Sequence, residues 1–148
     1  MILISHRGNI NKQQPQFEND PWYIDDALSM GYDVEIDIRY ESGLFLGHDS
    51  GQYKIKEKWL MDRSEKLWIH CKELKALSWF NKNYKEEFNY FWHEKDTATL
   101  TSKNYLWIYP GKQPVENSIA VLPEINNDIV DQCLGVCSDI IEKYKFDK

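Results

Sequence analysis

Short apolar runs recur along the chain, separated by polar stretches that carry the glycines and prolines. This pattern predicts strand, loop, helix and strand again. Residues 2–6 form the first predicted strand, followed by a polar loop from Gly8 to Asp20. Asp20-Pro21 marks a helix start, with Asp as N-cap and Pro at the first helical position, and Gly31 marks its end. Further strands are predicted over 33–39, 43–48, 67–71, 89–93, 105–109, 118–122 and 134–137, a short helix over 73–80 and a terminal helix over 139–146. Residues 50–66 are polar with weak periodicity, and residues 97–102 read as a loop with side-chain caps.

Most of these runs are apolar enough for burial on both faces, the mark of a parallel sheet. A closed (β/α)₈ barrel uses about 250 residues, whereas this chain has 148, and the links after Tyr109 and Leu122 are too short for full helices. The expectation is an α/β fold: a compact or incomplete TIM (β/α) barrel with several helices shortened or missing, in one domain over 1–148.

One predicted strand breaks the apolar pattern. Asp33-Val34-Glu35-Ile36-Asp37-Ile38-Arg39 alternates strictly, so Val34, Ile36 and Ile38 take one face and Asp33, Glu35, Asp37 and Arg39 the other. A surface strand with one wet face gives the same alternation, but a strand between a helix and another strand is expected to be buried on both sides. Carboxylates gathered in a buried mouth repel one another and lose hydration unless a cation joins them. A hard divalent ion with oxygen ligands is the natural resolution.

All four histidines stand at or just beyond apolar runs: His6 after Ile2-Leu3-Ile4-Ser5, His48 after Leu44-Phe45-Leu46-Gly47, His70 after Leu67-Trp68-Ile69, His93 after Tyr90-Phe91-Trp92. Parallel sheets place ligand sites at strand C-terminal ends; a histidine satisfied in the core is the competing reading for each. His6-Arg7-Gly8 sets an acid or base beside a guanidinium whose planar fork suits phosphate, and His48-Asp49 adds a second imidazole. Two histidines, an arginine and a carboxylate-bound cation make a kit for phosphoryl transfer. His93 and Glu94 take opposite faces of a regular strand, so only one of them would face a pocket. Trp107 and Tyr109 share a face, which either lines a pocket or packs the core.

Composition narrows the partners. A net charge of −6 argues against nonspecific nucleic-acid binding, which needs clustered Lys and Arg; Lys54, Lys56 and Lys58 are interrupted by Glu57. No basic leader precedes the first run, and no apolar run approaches the roughly 20 residues that span a bilayer. Cys71, Cys133 and Cys137 form no zinc pair and read as reduced thiols. The expectation is a cytoplasmic protein acting on a small molecule. A trimmed barrel with open flanks would expose apolar strand faces, which a homo-oligomer would cover.

Taken together, His6-Arg7-Gly8, Glu18-Asn19, the strand from Gly31 through Glu35 and Asp37 to Arg39, and His48-Asp49 resemble the glycerophosphodiester phosphodiesterase family. The resemblance is strong over about a third of the chain. A weaker echo continues through Ile69-His70-Cys71-Lys72 and Gly135-Val136-Cys137-Ser138-Asp139. It implies a TIM barrel in which His6 and His48 are the acid–base pair, Arg7 and Lys72 hold the phosphate, and Glu35 and Asp37 bind Mg²⁺ or Ca²⁺. It also implies cleavage of a glycerophosphodiester-like or sugar-phosphate diester, by water or by a hydroxyl of the substrate. The family's third metal ligand is a carboxylate two residues before the lysine, and His70 occupies that place. Imidazole suits Mn²⁺ or Zn²⁺ better than Mg²⁺ or Ca²⁺; the alternative is recruitment of Glu94 or Glu124. Two other functions stand beside it: a catalytically degenerate barrel that binds a phosphorylated ligand without turnover, and a non-phosphate metal hydrolase or isomerase on a barrel, which would leave Arg7 without a clear role.

Overall fold

The apolar runs do become strands, but they assemble into one mixed sheet rather than a barrel. A computed structural model describes residues 1–145. The strands are β1 (Ile2–His6), β2 (Asp33–Tyr40), β3 (Leu44–Leu46), β4 (Tyr53–Ile55), β5 (Leu67–Cys71), β6 (Asn89–Phe91), β7 (Ala98–Leu100), β8 (Leu106–Ile108), β9 (Ser118–Val121) and β10 (Gly135–Ser138). Three α-helices accompany them: α1 (Pro21–Ser29), α2 (Glu57–Met61) and α3 (Leu74–Asn83). Single 3₁₀ turns cover Pro123–Ile125 and Ile141–Lys145, the second lying where a terminal helix over 139–146 is expected; residue 146 falls outside the described residues. None of the described helices is long and apolar enough to cross a membrane.

The parallel part of the sheet runs β6-β5-β2-β1-β10-β9-β8, and β7 adds antiparallel to β8. Beyond the end of β1, β2 pairs antiparallel with β3, which pairs with β4. No ladder joins β6 to β7 or β8 among the described residues, so the sheet is not closed. The TIM (β/α) barrel expected from the sequence is therefore overturned. The physical reason is what connects the strands. A barrel needs a helix after each strand to return the chain in parallel, but residues 41–43 and 101–105 instead turn it straight back into antiparallel partners. Strands β4 and β7 are three residues each and mix polar with apolar positions, too short a pattern to be legible in the sequence.

Local chemistry explains the helices. Asp20 caps α1, its side chain accepting from the Trp22 amide, with Pro21 next. Tyr23, Ile24 and Ala27 face inward at helical spacing while Trp22 faces solvent. On the outer face of the sheet, Ile24 and Ala27 of α1 and Ala76 and Phe80 of α3 pack on Val34, Ile36, Ile38, Leu67 and Ile69. Truncating a fully buried ring such as Phe80 to alanine costs about 3–5 kcal/mol.

The inner face holds a second apolar layer of Ile4, Trp68, Phe91, Trp107, Ile119, Val121 and Cys137. Phe91 on β6 meets Trp107 on β8 with ring centroids 4.8 Å apart, although β5, β2, β1, β10 and β9 lie between those strands in the ladder. The sheet is thus curled, and side chains one step further toward the strand C-termini converge. Strand β2 is buried on both faces, with Val34, Ile36 and Ile38 toward the helices and Glu35 and Asp37 inward. The alternation in its sequence reflects two buried faces of different chemistry, not a wet surface.

Candidate functional site

Strand register brings the inward polar residues together. His6 on β1 pairs with Glu35 on β2, and Asp37 pairs with His70 on β5. All four are buried: His6 is 8% exposed, Glu35 2%, Asp37 0% and His70 7%. His70 Nδ1 lies 3.4 Å from Asp37 Oδ1 and 3.8 Å from Glu35 Oε1. Glu35, Asp37 and His70 each offer a ligand atom within 4.8 Å of the others. Asp37 Oδ1 and Glu35 Oε2 are buried without a hydrogen-bond partner among the described residues, an arrangement that is costly unless something fills it. The donor set therefore fits a divalent cation.

The other oxygen of Asp37 is fixed. Asn19 donates from Nδ2 to Asp37 Oδ2 (2.9 Å) and accepts the Asp37 amide on Oδ1 (2.9 Å). Arg7 Nε approaches the same Oδ2 at 2.8 Å in charge contact, off the hydrogen-bond axis, while Nη1 donates to Glu18 Oε2 (3.2 Å). Asn9 Nδ2 donates to Glu18 Oε1 (3.0 Å) and to Asp139 Oδ1 (2.8 Å). Glu18 and Asn19 thus hold Arg7 and Asp37 in place. The loop that carries them turns through Gly8, whose φ of +95° and 2.5 Å hypothetical Cβ contact with the Tyr23 ring leave no room for another residue.

His6 is oriented from behind. Its Nδ1 donates to Asp139 Oδ1 (2.7 Å), which an ionised carboxylate requires, so Nε2 faces the cavity, 3.8 Å from Glu35 Oε2. Burial works against the charged imidazole, but the Asp139 hydrogen bond and the Glu35 charge outweigh it and raise the His6 pKa. Asp139 is lowered: its burial is offset by His6, Asn9 and Arg7.

The two carboxyls of β2 diverge. Burial and the neighbouring Asp37 push Glu35 up to about 7. For Asp37, burial is overcome by His70, Arg7 and Asn19, which hold it ionised well below the usual carboxylate range. His70 is lowered by burial, helped by Lys72 and Arg7, which keeps a neutral ring with a lone pair to give.

Above these groups lies a half-enclosed cavity of about 270 Å³. All four histidines line it, with Arg7, Glu35, Lys72, Glu94, Trp107 and Tyr109. Lys72 Nζ stands 3.9 Å from Asp37 Oδ1. His48 reaches the mouth because β3 runs back along β2; its side chain is 43% exposed and its Nδ1 bonds to Asp49 Oδ1 (2.7 Å). Arg39 donates from Nε to the Gly47 carbonyl and from Nη2 to that of His48, which pins the turn. Both His93 and Glu94 line the cavity, against the expectation that only one would: β6 ends at Phe91, so strand alternation does not extend to them. Trp107 is buried at the cavity wall.

Other sequence candidates sit apart. Asp49 is solvent-exposed and bonds to His48. Glu124 accepts from Ser138 Oγ and the Asp139 amide and does not join the carboxylate cluster. Asp33 takes Trp68 Nε1 and Lys66 Nζ at the other end of β2. Asp139 and Asn9 are site residues that the sequence reading did not single out, while Tyr109, left there between pocket and core, lines the cavity. Asp139 was signalled only by its place, one residue past the last residue of β10, the strand that pairs with β1.

Compared with models of known families, with characterised proteins and with solved structures, the chain has no significant match. The resemblance to glycerophosphodiester phosphodiesterases rests on the motif residues alone.

Proposed function

We propose that the chain is a metal-dependent phosphodiesterase acting on a small glycerophosphodiester-like or sugar-phosphate diester. The observation that carries this reading is the pairing of two unpartnered buried carboxylate oxygens and a neutral imidazole with a second imidazole, His6, backed by Asp139. Glu35, Asp37 and His70 would hold the cation, with Mn²⁺ or Zn²⁺ favoured over Mg²⁺ or Ca²⁺ because one donor is an imidazole nitrogen. A bound divalent ion supplies charge to the phosphate oxygens where negative charge builds.

The remaining roles belong to side chains. Lys72 and Arg7 add fixed positive charge at the cavity wall and orient an anionic group. His6 Nε2 exchanges a proton with the nucleophile or leaving oxygen, and Asp139 stabilises its charged form. His48, at the mouth, is placed to exchange the other proton. Trp107, Tyr109 and Leu122 give the alcohol portion an apolar wall.

A phosphate binder without turnover is the second reading. It is favoured by one observation: Arg7 is already engaged by Asp37 and Glu18. Turnover of bis(p-nitrophenyl) phosphate and glycerophosphocholine by protein stripped with EDTA, with single metals added back, separates the two. Hydrolysis restored by Mn²⁺ and abolished in His6→Ala is expected. Mn²⁺ binding without hydrolysis of either compound or of other small diesters would favour the binder.

A further inference from the structure

A metal-bound histidine is normally aimed by a hydrogen bond from its second ring nitrogen to a carboxylate, carbonyl or water. His70 departs from this rule. Its Nδ1 points at Asp37 and Glu35, and its Nε2 is buried with no hydrogen-bond partner among the described residues. What holds the ring is stacking. Phe91 stacks against it with centroids 5.0 Å apart and planes inclined by 15°, and His93 does so at 4.5 Å and 21°. His93 is backed by Tyr109 at 4.1 Å and 37°.

The stack has a simple origin in the fold. His70 and Phe91 are register partners on β5 and β6, so their rings must lie side by side. His93 follows two residues beyond the end of β6 and comes over the same imidazole, while Tyr109 follows β8 on the opposite flank of the curled sheet.

We propose that His93 is the positioning residue of the cation site, its flat ring clamping His70 in the orientation that ligation needs and replacing the missing hydrogen bond. The inference rests on the reading that Glu35, Asp37 and His70 hold a divalent cation. It assigns His93 a role through its ring plane, not through its nitrogens.

The test is calorimetric titration of EDTA-stripped protein with Mn²⁺, comparing the wild type with His93→Ala, His93→Leu and His93→Phe. Loss of the partner that orients a metal ligand weakens affinity about 10–100-fold, and that loss is expected for His93→Ala and for His93→Leu, which has bulk but no flat ring. His93→Phe keeps the plane and should restore most of the affinity. Urea unfolding in EDTA identifies any variant that fails to fold, and the leucine variant serves if the alanine variant does. Wild-type affinity in the alanine or leucine variant would overturn the clamp. A phenylalanine variant as weak as alanine would overturn it too, by assigning the role to an imidazole nitrogen. Absence of Mn²⁺ binding in the wild type would instead remove the cation reading on which it stands.

Discussion

Replacing Glu35 by glutamine probes the carboxylate pair through stability alone, without substrate. In the metal-free protein Glu35 is 2% exposed and faces an ionised Asp37, and its carboxyl rises from 4.5 to about 7. At 1.36 kcal/mol for each tenfold change, that rise corresponds to about 3 kcal/mol. The folded-state value is raised, so this contribution is present below pH 4.5 and is lost as pH rises through about 7. Glutamine carries no charge at any pH. In EDTA at pH 8.5, Glu35→Gln should therefore unfold at higher urea than the wild type, by about 1–3 kcal/mol once the cost of a buried amide is deducted. The two proteins should converge near pH 4.5. Mn²⁺ at a hundredfold excess over its dissociation constant adds about 2.7 kcal/mol to a protein that binds it only when folded, so added metal should stabilise the wild type far more than the variant. Six tryptophans make fluorescence a convenient assay. A variant less stable than the wild type in EDTA at pH 8.5, or equal stabilisation of both proteins by Mn²⁺, would refute the reasoning.

Three further outcomes are expected. Asp139→Asn removes the charge behind His6 and should lower turnover by about 100-fold or more. Asp139 is lowered from 3.8 and His6 raised from 6.5, so their pairing stabilises above the first value and below the second. The urea-stability deficit of Asp139→Asn in EDTA should peak near pH 5.5 and shrink toward pH 3 and pH 9; a deficit independent of pH would contradict the pairing. Asn19→Ala leaves both the Asp37 amide and carboxylate without their partner and should cost about 3 kcal/mol in urea unfolding; a loss below about 1 kcal/mol would show that water replaces the side chain. Burial raises the Cys71 and Cys137 thiols, so neither should react with a disulfide reagent until urea unfolds the chain, and rapid labelling of either in the native protein would count against the packing described.

The site was far more legible in the sequence than the fold. Strict alternation in β2 located the inward carboxylates because side-chain period two survives in any sheet. His6, His70 and His93 follow parallel strands and so marked their C-terminal edge, whereas His48 follows β3, antiparallel to β2, and reaches the mouth by running back along it. The architecture was missed where the sequence gives little pattern. Tyr53-Lys54-Ile55 and Ala98-Thr99-Leu100 are too brief to show a period, and their antiparallel pairing, together with that of β3 on β2, makes the sheet mixed. Whether Tyr40-Glu41-Ser42-Gly43 is a turn or the start of a crossover depends on Ser42 and Gly43 adopting positive φ, and only the folded backbone displays that. Asp139 eluded assignment, and His93 could be named only as a pocket candidate, because both lie just beyond strands, where parity no longer says which way a side chain points.

The cation site is tested most directly by crystals of the protein soaked in Mn²⁺ and measured for anomalous scattering. The account predicts one strong peak between Glu35, Asp37 and His70, about 2.0–2.6 Å from a carboxylate oxygen of each acid and from His70 Nδ1. A soaked crystal with no peak among these residues, or with manganese bound only elsewhere, would contradict it.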